Sequence, residues 1–351
     1  MISSHPKWAS YKEAPIHGNS FQKWWKSRFR FVDYPFILAY LGYGNMNQLI
    51  LQGHVFQGMA LSNPEKRAST WRNIISLIKM FLVKTVRKAR VQLQIGEEYY
   101  EVKTNEGGFF EFSIENHQLD AGWHEVTIQL MDSVVEGQEK VELKSEVLII
   151  NDQSPVYISD IDDTFLVSHV TQKPLKLYTL LTKNAKTRKP VKGAVDFYQA
   201  LHTGAYPFFY VSSSEWNLYE FLVQFIELNE LPKGVLQLKD LKTGLLDFFK
   251  SGYGSHNHKL EKIKRIIELF PEKQFILLGD NGQHDPNIYL DIANEFPGNI
   301  RAIYIRGVKK RHWTSTEVTL SRIEDSNIEW LQFSHTHQAF EHARKINLIK
   351  T

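Results

Sequence analysis

Hydrophobic and polar positions change their rhythm near residue 152. Before it, apolar residues recur at every second position in short runs. Val91, Leu93 and Ile95 line one face of RVQLQI, Phe110, Phe112 and Ile114 one face of FFEFSI, and Val126, Ile128 and Leu130 one face of WHEVTIQL. A run through Leu49 and Leu51 into VFQG precedes these, and KVELKSEVLII closes the series. Alternation bounded by NEGG, LDAG and VVEGQ predicts antiparallel strands with one buried face, together an all-β, sandwich-like domain. One stretch departs from the pattern. Ser62-Asn63-Pro64-Glu65 reads as a helix start, and the residues to Val83 carry helical spacing, which predicts an inserted helix or a hairpin excursion.

After residue 152, nearly continuous apolar runs take over: VYIS, PFFYVS, VLQL, QFILLG and IRAIYI. Segments of helical period separate them, among them LKLYTLLTKN, VKGAVDFYQALHTG, EWNLYEFLVQFIELN, NHKLEKIKRIIELF and PNIYLDIANEF. Strands without alternation, divided by helices, predict a parallel α/β sheet covered on both faces. The tail adds an expected strand, IEWLQFS, and helix, THQAFEHARKINLI. The predicted organisation is a basic and aromatic segment over 1–32, a β domain over 33–152 and an α/β domain over 153–351.

Composition narrows the field. Lys and Arg number 42 against 39 Asp and Glu, a net of +3, which argues against a protein that holds nucleic acid mainly by charge. The absence of cysteine removes disulfides, thiolate catalysis and Cys-ligated zinc. IISLIKMFLV is interrupted by Lys79 and is too short to cross a bilayer, and the first thirty residues hold no signal-peptide run. The expectation is a soluble, cytoplasmic protein. The segment QKWWKSRFRF either docks peripherally on an anionic membrane or packs its tryptophans on the β domain.

Ligands of an open parallel sheet bind beyond the carboxyl ends of its strands, so the residues that follow each strand carry the chemistry. Asp160-Ile161-Asp162-Asp163-Thr164 follows the first, Ser212-Ser213-Ser214 the second, and Asp280-Asn281-Gly282-Gln283-His284-Asp285 the QFILLG strand. Carboxylates converging from two strand ends repel unless a cation offsets them, and oxygen ligands without sulfur suit Mg²⁺. Beside Mg²⁺ an aspartate can attack a phosphoryl group, and a second acid two residues on can serve as proton donor and acceptor. A hydroxyl and a lysine would hold the phosphoryl oxygens, and Lys259, opening the NHKLEKIKRIIELF helix, is the candidate.

DIDDT, the serine after the second strand, a lysine opening a helix and GD-x4-D together resemble the four motifs of the haloacid dehalogenase (HAD) superfamily of phosphotransferases. The likeness is closer to the actin-patch-associated phosphatidate phosphatase catalytic domain family. It runs through TKNAKTRKPVKGAVDFYQALHTGAYPFFYVSSSEWNLYEFL, NELPKGVLQLKD and HKLEKIKRIIELFPEKQFILLGDNGQHDPNIY. The resemblance implies a HAD-like Rossmannoid fold and these roles. Asp160 is nucleophile and Mg²⁺ ligand, and Asp162 is general acid and base and a further ligand through its carbonyl. Ser212 and Lys259 bind the phosphoryl group. Asp280 ligates the metal, and Asp285 orients the metal shell. Thr164, Ser213 and Asn281 support these positions. Arg188 is either a contact for an anionic head group or a surface charge. Glu215 stands where the family commonly has proline.

The implied substrate is a phosphate monoester, phosphatidate at a membrane surface by resemblance. A soluble sugar, nucleotide or protein phosphate is a second possibility, and a non-catalytic membrane or cytoskeletal adaptor a third.

Overall fold

The computed structural model describes residues 34–58, 84–152, 154–161, 193–202, 207–239 and 255–349. The basic and aromatic segment 1–32, the inserted helix after Ser62, the LKLYTLLTKN helix, Asp162, Thr164 and Arg188 lie outside the described residues. The described residues up to Asn151 form one compact unit, and those from Asp152 form another.

The first unit is all β. Its strands are β1 (Tyr34–Ala39), β2 (Gly42–Gly44), β3 (Gln48–Gly58), β4 (Lys84–Thr85), β5 (Arg90–Ile95), β6 (Glu98–Lys103), β7 (Phe109–Glu115), β8 (Gly122–Leu130) and β9 (Val141–Ile149). They pair in the order β1-β3-β2-β9-β8-β5-β6, with β4 and β7 also on β3. The alternating residues Leu93, Phe112 and Ile128 meet Leu49, Leu51 and Val147 in one shared core, which makes the unit sandwich-like. Strand β6 escapes the sequence pattern because EYYEVK is an edge strand with mostly exposed residues. Strand β3 is buried on both faces between β1 and β7. His54 lies at its centre with the Tyr40 hydroxyl 2.6 Å from Nδ1 and its ring stacked on Phe56.

The second unit alternates strands and helices. In chain order they are β10 (Val156–Ser159), α1 (Ala194–Leu201), β11 (Phe208–Glu215), α2 (Tyr219–Leu228), β12 (Gly234–Lys239), α3 (Ser255–Leu269), β13 (Phe275–Asp280), α4 (Asp285–Glu295), β14 (Ile300–Arg306), α5 (Trp313–Leu320), β15 (Glu329–Phe333) and α6 (Thr336–Lys345). The strands are parallel and ordered β12-β11-β10-β13-β14-β15, with helices on both faces. The chain therefore builds outward from β10 to β12, then crosses back to β13. Strands β10 and β13 flank the point of reversal, where such sheets open a crevice.

Helix α5 is absent from the sequence reading. Its WTSTEVTL is rich in β-branched residues, poor helix formers. Thr316 and Thr319 turn their hydroxyls back onto the carbonyls of His312 and Ser315 at 2.8 and 2.9 Å, while Thr316 and Leu320 are buried.

Candidate active site

Asp160 follows β10 directly, and its N–H donates to the Leu278 carbonyl of β13 at 2.8 Å. Asp280 closes β13, and Asp285 opens α4 just before Pro286, a residue that suits a first helical turn. Lys259 is in α3. Both helices carry an apolar stripe against the sheet: Ile263, Ile266 and Ile267 in α3, and Ile288, Tyr289 and Ile292 in α4. Lys259 and Asp285 stand one turn ahead of those stripes and in line with them. Packing that buries the isoleucines thus buries the two charged groups as well.

They meet over the strand ends. Lys259 Nζ lies 3.1 Å from Asp160 Oδ1 and 2.5 Å from Asp285 Oδ1. The second oxygen of Asp285 accepts the Asp280 N–H at 3.1 Å, and Asp280 Oδ1 accepts the Gly282 N–H. Lys259, Asp160, Asp280 and Asp285 are each buried. Burial alone lowers the Lys259 ammonium, but Asp160 and Asp285 more than offset it and hold the group above its ordinary range. Asp285 is pushed up by burial and by the Asp160 charge, against the pull of Lys259.

Gly279 makes this approach possible. A Cβ there would stand 2.6 Å from Asp285 Oδ2 and 2.8 Å from the Tyr289 ring. The glycine of the GD sequence is thus required by the close seating of α4 on β13.

The donor set suits a hard divalent cation. One carboxylate oxygen from each of Asp160, Asp280 and Asp285 lies within 4.8 Å of the others. Three carboxylates against one ammonium leave 3 − 1 = 2 negative charges. Asp160 Oδ2 is buried without a hydrogen-bond partner among the described residues. An unsatisfied buried carboxylate oxygen is costly, and a cation bound there would satisfy it.

Ser212 is buried at the same end of the sheet, on β11, and its hydroxyl oxygen accepts the Ser214 N–H at 2.9 Å; Ser213 is half-buried. Asn281 is buried, but its amide is committed away from the carboxylates. Its Oδ1 accepts the Lys309 N–H at 2.8 Å and its Nδ2 donates to the Lys309 carbonyl at 3.0 Å.

The residues at and after the end of β14 carry no assignment from the sequence. Arg306 pairs in register with Asp280, half-buried; burial lowers its guanidinium, while Tyr198 and Asp280 pull it back. Lys309 donates from Nζ to the Gly282 carbonyl at 2.6 Å, and His312 Nδ1 lies 2.7 Å from the Asn281 carbonyl oxygen. The signal was present: RGVKKRH follows a strand, as the acidic and serine motifs do.

Residues 156–307 match the family of the phosphatidate phosphatase APP1 catalytic domain. The phosphatidate phosphatase APP1 of Saccharomyces cerevisiae is 34% identical over 180 residues, covering 50% of this chain and 30% of that protein. An uncharacterised protein of Schizosaccharomyces pombe is 25% identical over 212 residues, covering 60% of this chain and 34% of its own length. The chain thus spans about a third of the length of these curated relatives. A carbohydrate acetylesterase from Xanthomonas citri superposes with a TM-score of 0.31 at 10% identity, covering 85% of this chain and 68% of that one, a likeness too weak to bear on fold or function. The buried acidic cluster on the strand ends lies within these matched residues. Residues 156–307, fewer than half of the chain, are thus similar to the family of phosphatidate phosphatase APP1 catalytic domains.

Proposed function

We propose that the site hydrolyses phosphate monoesters through an aspartyl-phosphate on Asp160, with Mg²⁺ held by Asp160, Asp280 and Asp285, and that its substrates are phosphatidate-like lipids. One observation carries the reading. Asp160 has one oxygen steadied by Lys259 and the other buried without a partner among the described residues, beside two further carboxylates. A buried salt bridge kept for structure alone needs its remaining lone pairs satisfied by further hydrogen bonds.

A magnesium ion among these carboxylates supplies charge neutralisation for an approaching phosphoryl dianion. The chain's own residues do the rest. Lys259 fixes the Asp160 carboxylate and offers its remaining N–H to a phosphoryl oxygen. Asp160 attacks phosphorus through one carboxylate oxygen, and the ester P–O bond breaks. The leaving oxygen takes a proton from Asp162, the role that family resemblance gives that residue. A water molecule then attacks the aspartyl-phosphate and returns a proton to Asp162, which frees Asp160 and inorganic phosphate. Asp285 spans Lys259 and the Asp280 backbone and so sets the spacing between nucleophile and metal ligand. Ser212 and Ser213 serve the phosphoryl oxygens from the neighbouring strand. The division into 33–152 and a catalytic 153–351 belongs to the same proposal.

The lipid substrate rests on the name of the Saccharomyces relative. Among the described residues no helix is long and apolar enough to cross a membrane. The test is hydrolysis of p-nitrophenyl phosphate with Mg²⁺. Turnover should vanish with EDTA and in Asp160→Asn, and phosphatidate in mixed micelles should outcompete soluble phosphates. Undiminished turnover by Asp160→Asn would remove the covalent route.

A further inference from the structure

The segment after β14 carries more than the bracing of its neighbour. From Arg306 to Trp313 it reads RGVKKRHW, four fixed cations and a histidine without an acid. The whole chain has a net charge of only +3, so this is a local concentration. Lys310 and Arg311 are exposed, and neither has a carboxylate within ion-pair distance among the described residues. Val308, in the same segment, is a large apolar side chain left 40% exposed.

The segment is also fixed in place. Lys309 and His312 spend their polar groups on the loop that follows Asp280: Asn281 clasps the Lys309 backbone from both sides, Lys309 Nζ holds the Gly282 carbonyl, and His312 meets the Asn281 carbonyl. Lys310 and Arg311 stand between those two anchors. Their charge is therefore presented on the carboxyl rim of the sheet, one loop away from Asp280.

We propose that this rim is a docking surface for an anionic bilayer, which seats the C-terminal unit on the membrane with its carboxylate site next to the head groups. The inference rests on the lipid-phosphatase reading and adds to it how the site reaches a substrate embedded in a membrane. Cations interspersed with an exposed apolar residue match the chemistry of a lipid interface, where the anionic surface attracts the former and the acyl boundary accepts the latter. Lys309 and His312 are positioning residues for this surface, and Lys310, Arg311 and Val308 make the contact.

The test uses the full chain and flotation with vesicles of phosphatidylcholine alone or mixed with phosphatidylserine, an anionic lipid that is not a phosphate monoester. Binding should require phosphatidylserine and weaken as salt screens the surface. Lys310→Glu/Arg311→Glu should lower binding by at least about thirtyfold, from roughly fivefold per cation removed, with p-nitrophenyl phosphate turnover unchanged. The same charge reversal on exposed residues of α6, Arg344→Glu/Lys345→Glu, should cost much less. Equal binding by the Lys310/Arg311 variant, or equal loss in the α6 variant, overturns the docking surface. A wild-type protein that hydrolyses no aryl phosphate overturns the catalytic reading alone, and flotation decides the surface independently. Unchanged aryl phosphate turnover in the rim variant also shows that it has folded.

Discussion

Gly279→Ala is the smallest change that tests the geometry of the site. The added methyl would sit 2.6 Å from Asp285 Oδ2, 3.0 Å from Asp285 Cβ and 2.8 Å from the Tyr289 ring. Ordinary contact begins at 3.4 Å, so Asp285 retreats by 3.4 − 2.6 = 0.8 Å to regain it. Retreat has a defined consequence, because Asp285 is tied on both sides. Its Oδ2 takes the Asp280 N–H at 3.1 Å and its Oδ1 takes Lys259 at 2.5 Å. A shift of this size breaks the first bond and lengthens the second, which loosens Lys259 on Asp160. Overpacking of this kind costs about 1–3 kcal/mol of stability. Misplacement of reacting groups by about 1 Å costs on the order of a hundredfold in rate. The expected result is a folded protein, slightly less stable to urea, with kcat for p-nitrophenyl phosphate down about a hundredfold and KM little changed. Gly298→Ala is the control, since a Cβ there meets nothing within 4 Å. A Gly279→Ala enzyme with wild-type kcat would refute the claim that seating of α4 on β13 sets the site.

Three further outcomes follow from the same contacts. Lys259→Met removes the ammonium shared by Asp160 and Asp285 and should destabilise the second unit by about 3–5 kcal/mol in EDTA; urea unfolding with Mg²⁺ present should recover part of that loss. Asn281→Ala frees the Lys309 backbone from both of its side-chain bonds and should cost about 1–3 kcal/mol, read by urea unfolding, with the rim loop exchanging its amide protons faster. In the first unit, burial lowers the His54 imidazole from 6.5 to about 3. Between those values the unfolded chain holds a proton that the folded chain does not, so stability falls as pH drops from 6.5 towards 3. At 1.36 kcal/mol per unit, and with the unfolded histidine half protonated at the start, the two pH units from 6.5 to 4.5 remove about 2 kcal/mol, and His54→Gln should flatten that slope in urea midpoints taken across the window.

Strand ends were the most legible part of this chain. VYIS matches β10 residue for residue, and QFILLG and IRAIYI match β13 and β14 to within a residue at each end. Fully buried parallel strands announce themselves as unbroken apolar runs with a polar stop. Asp160 and Asp280 were legible for that reason, as the stops of the two strands that flank the reversal. Short or polar strands such as β2 and β6 gave no such signal, because their place in the sheet is decided by partners distant in sequence. Arg306 and the RGVKKRH rim gave no such signal either. Their basic character reads as a solvated run until hydrogen bonds tie it to the Asp280 loop.

Charge explains why these two kinds of residue lie on one rim. The buried site holds more carboxylate than ammonium and by itself repels a phosphate monoester. A divalent cation cancels the excess at the centre but exerts little attraction across solvent beyond a Debye length of about 8 Å. The exposed cations of Lys310 and Arg311 act at the distance where the central ion does not, on the face from which substrate must come. An anionic membrane would therefore meet positive charge at the rim, while the phosphate head group it carries meets the metal at the centre. Salt should then depress kcat/KM for phosphatidate in vesicles far more than for p-nitrophenyl phosphate. The difference between the two substrates should shrink in Lys310→Glu/Arg311→Glu, and an equal salt response of both substrates in the wild-type protein would contradict this division of labour.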